Sequence, residues 1–270
     1  MSLARVACRV VGLWLAAGVA VSASRTAASL NDQSRASLLA ERTRLALGVT
    51  QAKLRSVILS GYSEGGRYSD LTGKLRPGQV PVEFRLLLPD SYVRIDQPNG
   101  AVIRRGVSEG RPILSQEAVG PGAYVSPAVP TPDLLPFARS DLFRLAVGLF
   151  AVEQFGTERA NVTARGSATL EFTGLANRVL LDVDSRSGLP RRARYKQLVV
   201  MAESIQRTLG ISLAEDGSDE VAMEYSDRVV VDGVSLPRVW QRVVSGAKLE
   251  RITLTTIRIN PPLSARDFRF

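Results

Sequence analysis

Residues 229–243 read VVVDGVSLPRVWQRV, and this stretch decides the fold. Two runs rich in β-branched residues are separated by Asp232-Gly233, a dipeptide suited to the positive φ angles of a two-residue hairpin turn. The pattern continues outward on both sides. Toward the C-terminus, Gly246 precedes a strand from Lys248 to Asn260, in which Ile252 and Leu254 share one parity and Ile257 and Ile259 the other. A parity change inside one strand predicts a β-bulge. Toward the N-terminus, Val221 to Tyr225 make a further strand, and Val179–Val183 and Arg191–Val200 flank a turn at Ser187-Gly188-Leu189-Pro190. Leu170 and Phe172 lie on one more. From Asn161 onward the chain is a meander of antiparallel strands.

The first half follows the same logic with helices added. Leu38, Leu39, Leu45, Ala46 and Val49 recur at helical spacing and predict an amphipathic helix from Ser37 to about Leu54. Val57 and Leu59 share a strand parity, ending near Gly65-Gly66. Val82, Phe84, Leu86 and Leu88 alternate with Glu83 and Arg85 up to Pro89-Asp90; Val93 and Ile95 follow, flanked by Tyr92, Arg94 and Asp96, and Asn99-Gly100 is a hairpin turn. Six prolines between Gly106 and Pro136 leave little room for a regular central strand and predict a Pro-rich flap over about 106–136. Ser140 then caps a helix to about Gln154 whose Leu142, Phe143, Leu145, Ala146, Leu149 and Phe150 are apolar over most of its surface. Such a helix is buried in a core or covers an apolar cavity.

The leading residues read differently. Arg5 and Arg9 precede an uncharged apolar run of 12 residues, Val10 to Val21, followed by Ser22-Ala23-Ser24. That is the layout of a secretory signal peptide, too short for the roughly 20 residues of a membrane span. We place cleavage after Ala23, giving a leader over 1–23 and a single domain over 24–270. Cys8 precedes the apolar run, so no lipid anchor is expected. The expected location is the periplasm or the exterior of a bacterium.

Composition excludes several chemistries. The 270 residues contain no histidine and one cysteine, so a Ser-His-Asp triad, a Cys-His pair and a Cys/His zinc site are all ruled out. The net charge is +9, with 31 arginines scattered rather than gathered. That spread argues against a nucleic-acid partner and allows attraction to an anionic membrane surface. Asp182 and Asp184 share a strand face, but Arg186 and Ala193 occupy positions where a calcium loop needs oxygen ligands. Glu215, Asp216, Asp219 and Glu220 read as a solvated loop. Ser245 and Lys248 have Ser-x-x-Lys spacing at a hairpin turn rather than a helix start, and Asn161-Val162-Thr163 is a sequon common by chance. No catalytic residue, metal ligand or cofactor site is assigned, and the expectation is a protein that is not an enzyme.

Three segments carry a resemblance: LLDVDSRSGLPRRARY (180–195), VVVDGVSLPRVWQRV (229–243) and ITLTTIRINPPLSARDFRF (252–270). Their order resembles the LolA/LolB-like superfamily of exported lipoprotein carriers and related envelope proteins. The resemblance implies an α+β fold, mainly antiparallel β: an incomplete barrel, a curved sheet with helices covering an apolar cavity. It also implies an acyl chain or lipoprotein as partner. Val82, Phe84, Leu86, Phe143, Phe150, Leu170, Phe172, Ile252 and Leu254 are the candidate lining residues; the same residues also describe a filled core. The alternative function is an interaction module docking an envelope partner through its sheet surface, around Arg192 and Arg194, or through the Pro-rich flap.

Overall fold

The computed structural model describes residues 33–50, 53–65, 78–98, 100–120, 134–155, 158–166, 168–175, 177–198 and 218–270. The expected leader over 1–23, most of the flap prolines, Asn99, Glu215 and Asp216 lie outside them.

A first helix, α1, covers 33–47. Five strands follow: β1 Ser56–Gly65, β2 Gln79–Leu87, β3 Ser91–Asp96, β4 Ala101–Ser108 and β5 Arg111–Ala118. Helix α2 spans Leu135–Phe150, and β6 Gln154–Phe155 pairs with β7 Glu158–Arg159. The meander then runs through β8 Asn161–Arg165, β9 Thr169–Gly174, β10 Asn177–Val183, β11 Pro190–Leu198, β12 Ser218–Val231, β13 Val234–Val244 and β14 Ala247–Ile259. A 3-10 turn, Ala265–Phe268, closes the chain.

Twelve of these strands form one antiparallel sheet in the order β5-β4-β3-β2-β1-β14-β13-β12-β11-β10-β9-β8. Its ends, β5 and β8, do not pair, so the barrel is incomplete, as expected. The sheet nevertheless wraps: α2 touches β4 and β5 near one end and β10 and β11 near the other. Two bulges in β14 supply part of this curvature, because an extra residue bends a strand and increases its twist. Ser60 pairs with Thr256 and Gly61 with Leu254, leaving Thr255 extra at the parity change read from the sequence. Arg242 pairs with Glu250 and Val243 with Lys248, leaving Leu249 extra.

The inward rows pack against α2 in two clusters. One gathers Val57, Leu59, Val82, Leu86, Leu236 and Leu254 with Leu142, Leu149 and Phe150 of α2. The other gathers Leu170, Phe172, Val179 and Leu181 with Phe143, Ala146 and Val147 of α2 and with Ala40 and Leu47 of α1. Because α2 serves both, it is apolar around most of its circumference.

Four details differ from the sequence reading. α1 runs 33–47 rather than from Ser37 to Leu54, because Gly48, at φ 75°, ends it in the left-handed conformation glycine favours. α2 begins at Leu135 rather than at Ser140: Pro136 is tolerated in the first turn, where backbone N–H groups have no helical partner, and the Ser140 hydroxyl donates to the Pro136 carbonyl at 2.7 Å. The interval expected as flap contains β5, where Pro112 is accommodated because β5 is an edge strand. Finally, β3 is buried on both faces. Val93 and Ile95 turn outward, to be covered by Phe268 and Leu263, and Tyr92, Arg94 and Asp96 turn inward.

Candidate ligand pocket

Hairpin register brings the inward residues of β3 to the site. Across β2 and β3, Leu86 faces Tyr92, Phe84 faces Arg94 and Val82 faces Asp96. Across β12, β13 and β14, Tyr225 faces Trp240, Trp240 faces Ile252, and Arg242 faces Glu250. Sheet curvature turns these two groups toward each other beneath α2. The result is a pocket of about 70 Å³ between the concave face and Asp141, Arg144 and Leu145 of α2.

The floor is apolar: Phe84 and Trp240 hold their rings 5.1 Å apart, beside Ile252 and Met223. The wall is charged. Arg94 and Glu250 are 5% and 3% exposed, and the Arg94 guanidinium donates to Glu250 at 2.5 Å and to Asp96 at 2.9 Å. Arg105 donates to Asp96 at 2.8 Å, and the Ser63 hydroxyl donates to Glu250 at 2.7 Å. Arg94 also lies over the Phe84 ring, 5.4 Å from its centre. Buried charges of this kind persist when paired and hydrogen-bonded.

On the helix side, Arg144 stacks 4.6 Å from the Tyr195 ring centre and donates to the Lys196 carbonyl at 3.0 Å and to Asn177 Oδ1 at 3.2 Å. Tyr225 fills the space under Gly148, where a Cβ would stand 2.2 Å from the Tyr225 hydroxyl oxygen. Burial pushes the Tyr225 phenol well above its ordinary range, and Tyr195 adds to the effect, so it stays neutral.

Of the nine candidate lining residues, the pocket is lined by Phe84 and Ile252. Val82, Leu86, Phe150 and Leu254 pack in the first cluster, and Phe143, Leu170 and Phe172 in the second, each 3% exposed or less. The alternative considered for them, a filled core, describes those seven. The sequence reading missed Trp240, Tyr225, Arg94, Arg242, Glu250 and Arg144. A usable signal existed for Arg94: a turn pairing Leu87 with Ser91 puts Arg94 opposite the inward Phe84.

Elsewhere, Asp182 and Asp184 are committed to structure. Asp182 accepts from Thr169 at 3.0 Å, Arg192 at 3.0 Å and Arg194 at 3.1 Å. Burial alone raises its carboxyl, but the bonds from Arg194, Thr169 and Arg192 outweigh burial and hold it below the ordinary value. Asp184 caps the following turn: bonds from the Ser187 backbone and side chain, and from the Arg186 backbone, lower its carboxyl, and Arg191 pairs with it. Neither has the raised pKa that a general acid needs. Among the described residues no group of three or more Cys, Asp or Glu side chains is placed to hold a metal ion.

No protein-family model matches the chain, and no curated protein does. Solved structures similar to it include a DUF1329 family protein from Desulfovibrio piger, at 11% identity and TM-score 0.46, with 85% of this chain and 96% of that one covered. A putative outer membrane lipoprotein-sorting protein domain from Vibrio parahaemolyticus is similar at 10% identity and TM-score 0.44, over 85% and 97% of the two chains. A LolA superfamily protein from Nitrosomonas europaea is similar at 12% identity and TM-score 0.44, over 87% and 97%.

Proposed function

We propose that this chain is an exported, non-enzymatic module of the bacterial envelope that binds an acyl chain of a lipid or lipoprotein between the concave sheet and α2. The observation that carries the reading is the pocket under α2, floored by Phe84, Trp240, Ile252 and Met223. Each acyl methylene buried there contributes about 0.8 kcal/mol. At about 70 Å³ the pocket is well below the roughly 300–1,000 Å³ typical of ligand sites. Entry of a chain therefore requires α2 to lift from the sheet. The leader-like layout read in the sequence of residues 1–23 supports export. Among the described residues, no helix is long and apolar enough to cross a membrane.

The test is native mass spectrometry of the protein purified from its own envelope, followed by lipid extraction. A stoichiometric acyl species is expected. A protein that emerges empty and takes up no fluorescent fatty acid overturns the reading.

A further inference from the structure

Beside the pocket lies a second depression, a groove of about 490 Å³ between the first turns of α2 and strands β10 and β11. The two share Arg144, Tyr195 and Gln197, so they adjoin through one wall. Their chemistry differs. The groove carries Arg144, Arg178, Arg194 and Lys196 against Glu220, with Phe137 and Leu180 as apolar surface. Phe137 is 57% exposed at its edge, although large aromatics are usually buried.

The positive charge survives inspection of its partners. Arg178 pairs with Glu171 at 2.6 Å and Arg194 with Asp182 at 3.1 Å. Those two carboxylates are in turn shared with Arg165 and Arg192, so each faces two guanidinium groups. Lys196 is exposed and forms no ion pair among the described residues. The pocket adds Arg94 and Arg242 against Glu250 and Asp141, and the adjoining Asp96 is matched by Arg105. The combined cavity therefore has a surplus of cations, concentrated on the groove side, and an aromatic floor on the pocket side.

We infer that the ligand is an anionic amphiphile, with its apolar end in the pocket under α2 and its phosphate or carboxylate in the groove beside Lys196 and Arg144. This rests on the acyl-binding reading and specifies the head group. Guanidinium forks suit a planar or tetrahedral oxyanion, whereas the Lys196 ammonium acts as a point charge. Because the groove is open to solvent, its contribution is screened by salt, while the apolar contribution is not.

Calorimetric titration of the purified, delipidated protein with dodecyl phosphate, dodecyl maltoside and inorganic phosphate separates the possibilities. Dodecyl phosphate is expected to bind about ten-fold or more tighter than dodecyl maltoside, with the gap shrinking as salt rises from about 0.1 M to 1 M. Lys196→Glu, at an exposed position, removes most of that gap; Arg144→Gln provides a second variant. Equal affinity for the two dodecyl compounds overturns the inference and leaves the acyl-binding reading intact. Binding of neither overturns both. Inorganic phosphate binding as tightly as dodecyl phosphate assigns the groove to a free anion and overturns the amphiphile.

Discussion

The concave face has two ends that share one sheet and one helix but are built on opposite principles. Around β9 and β10, Phe143 of α2 meets Phe155, Leu170, Phe172 and Val179, and Phe143 and Phe155 hold their rings 4.9 Å apart. Around β3, β13 and β14, the same face turns Arg94, Asp96, Arg242 and Glu250 inward, and the pocket lies there. The first end is a dry core whose shape is set by close packing. The second adds to its apolar cluster a set of buried charge pairs, which are directional and lose more when one partner is removed than when both are. Both ends hold α2 through apolar contacts, and only the second also buries charged groups beside it.

The sharpest way to break this contrast is to remove one member at each end. Glu250→Ala takes away one of the two carboxylates that Arg94 donates to and leaves the Ser63 hydroxyl without its acceptor, and should cost about 3–5 kcal/mol in urea unfolding. Phe172→Ala leaves a cavity at the dry end and should cost a similar amount, about 3–5 kcal/mol. The two should part company when the replacement preserves shape. Glu250→Gln still accepts from Arg94 and Ser63 and should recover part of the loss, and Phe172→Leu should recover most of its loss through apolar volume. A Glu250→Ala loss below about 1 kcal/mol would mean that the cluster behaves as a solvated surface pair, and the contrast would collapse.

The dry end was legible in the sequence and the charged end was not, for a physical reason. Leu170, Phe172, Val179 and Leu181 follow the rule that alternating apolar residues face a core, and all four do. In β3 the same rule selects Val93 and Ile95 as the inward set, but they face outward. The C-terminal turn, carrying Phe268, covers the outer face there, so both faces are buried and alternation no longer tells them apart. Hairpin register does: each residue of β3 inherits its side from its partner in β2, and Phe84 faces Arg94. The bulge at Thr255 was readable because its neighbours are apolar on both parities. The pocket itself depends on β3 and β14 meeting across a curled sheet, a contact between residues 94 and 250 that no local pattern encodes. Prolines misled in the other direction, since Pro112 sits on an edge strand whose position at the rim is a property of the whole sheet.

A smaller perturbation asks how closely α2 fits the boundary between the two ends. Gly148→Ala places a Cβ against the Tyr225 hydroxyl and should cost about 1–3 kcal/mol through overpacking. Tyr225→Phe removes the offending oxygen, so the double variant should be more stable than the Gly148→Ala single. A double-mutant cycle by thermal unfolding measures the coupling. Additive losses would show that α2 shifts to relieve the clash, and that its seat over the pocket is looser than the one over Phe143.

The smallest effects belong to the ion pairs outside both ends, and acid separates them from the rest. Glu153 is raised by burial, but hydrogen bonds from Arg159 and Arg44 outweigh that and hold it below its ordinary value of 4.5; Glu171 is lowered likewise by Arg165 and Arg178, and Asp182 lies below its ordinary 3.8. A carboxyl with a depressed folded pKa contributes stability that is fully present above its unfolded pKa and is lost as pH falls through the folded one. With no histidine in the chain, stability should be flat from about pH 8 to 5.5 and should decline below about pH 4.5. Asp182→Asn breaks a partly exposed pair and should cost about 1 kcal/mol or less near neutrality. Because the variant has already lost that carboxylate, its stability should begin to converge on that of the parent as pH drops below about 3.8, where the unfolded parent takes up the proton, and should meet it once pH has passed below the lowered pKa of folded Asp182. A gap that persists after Asp182 is protonated in the folded parent would assign its effect to side-chain geometry rather than to charge, since both a neutral acid and the Asn oxygen can still accept from the Thr169 hydroxyl.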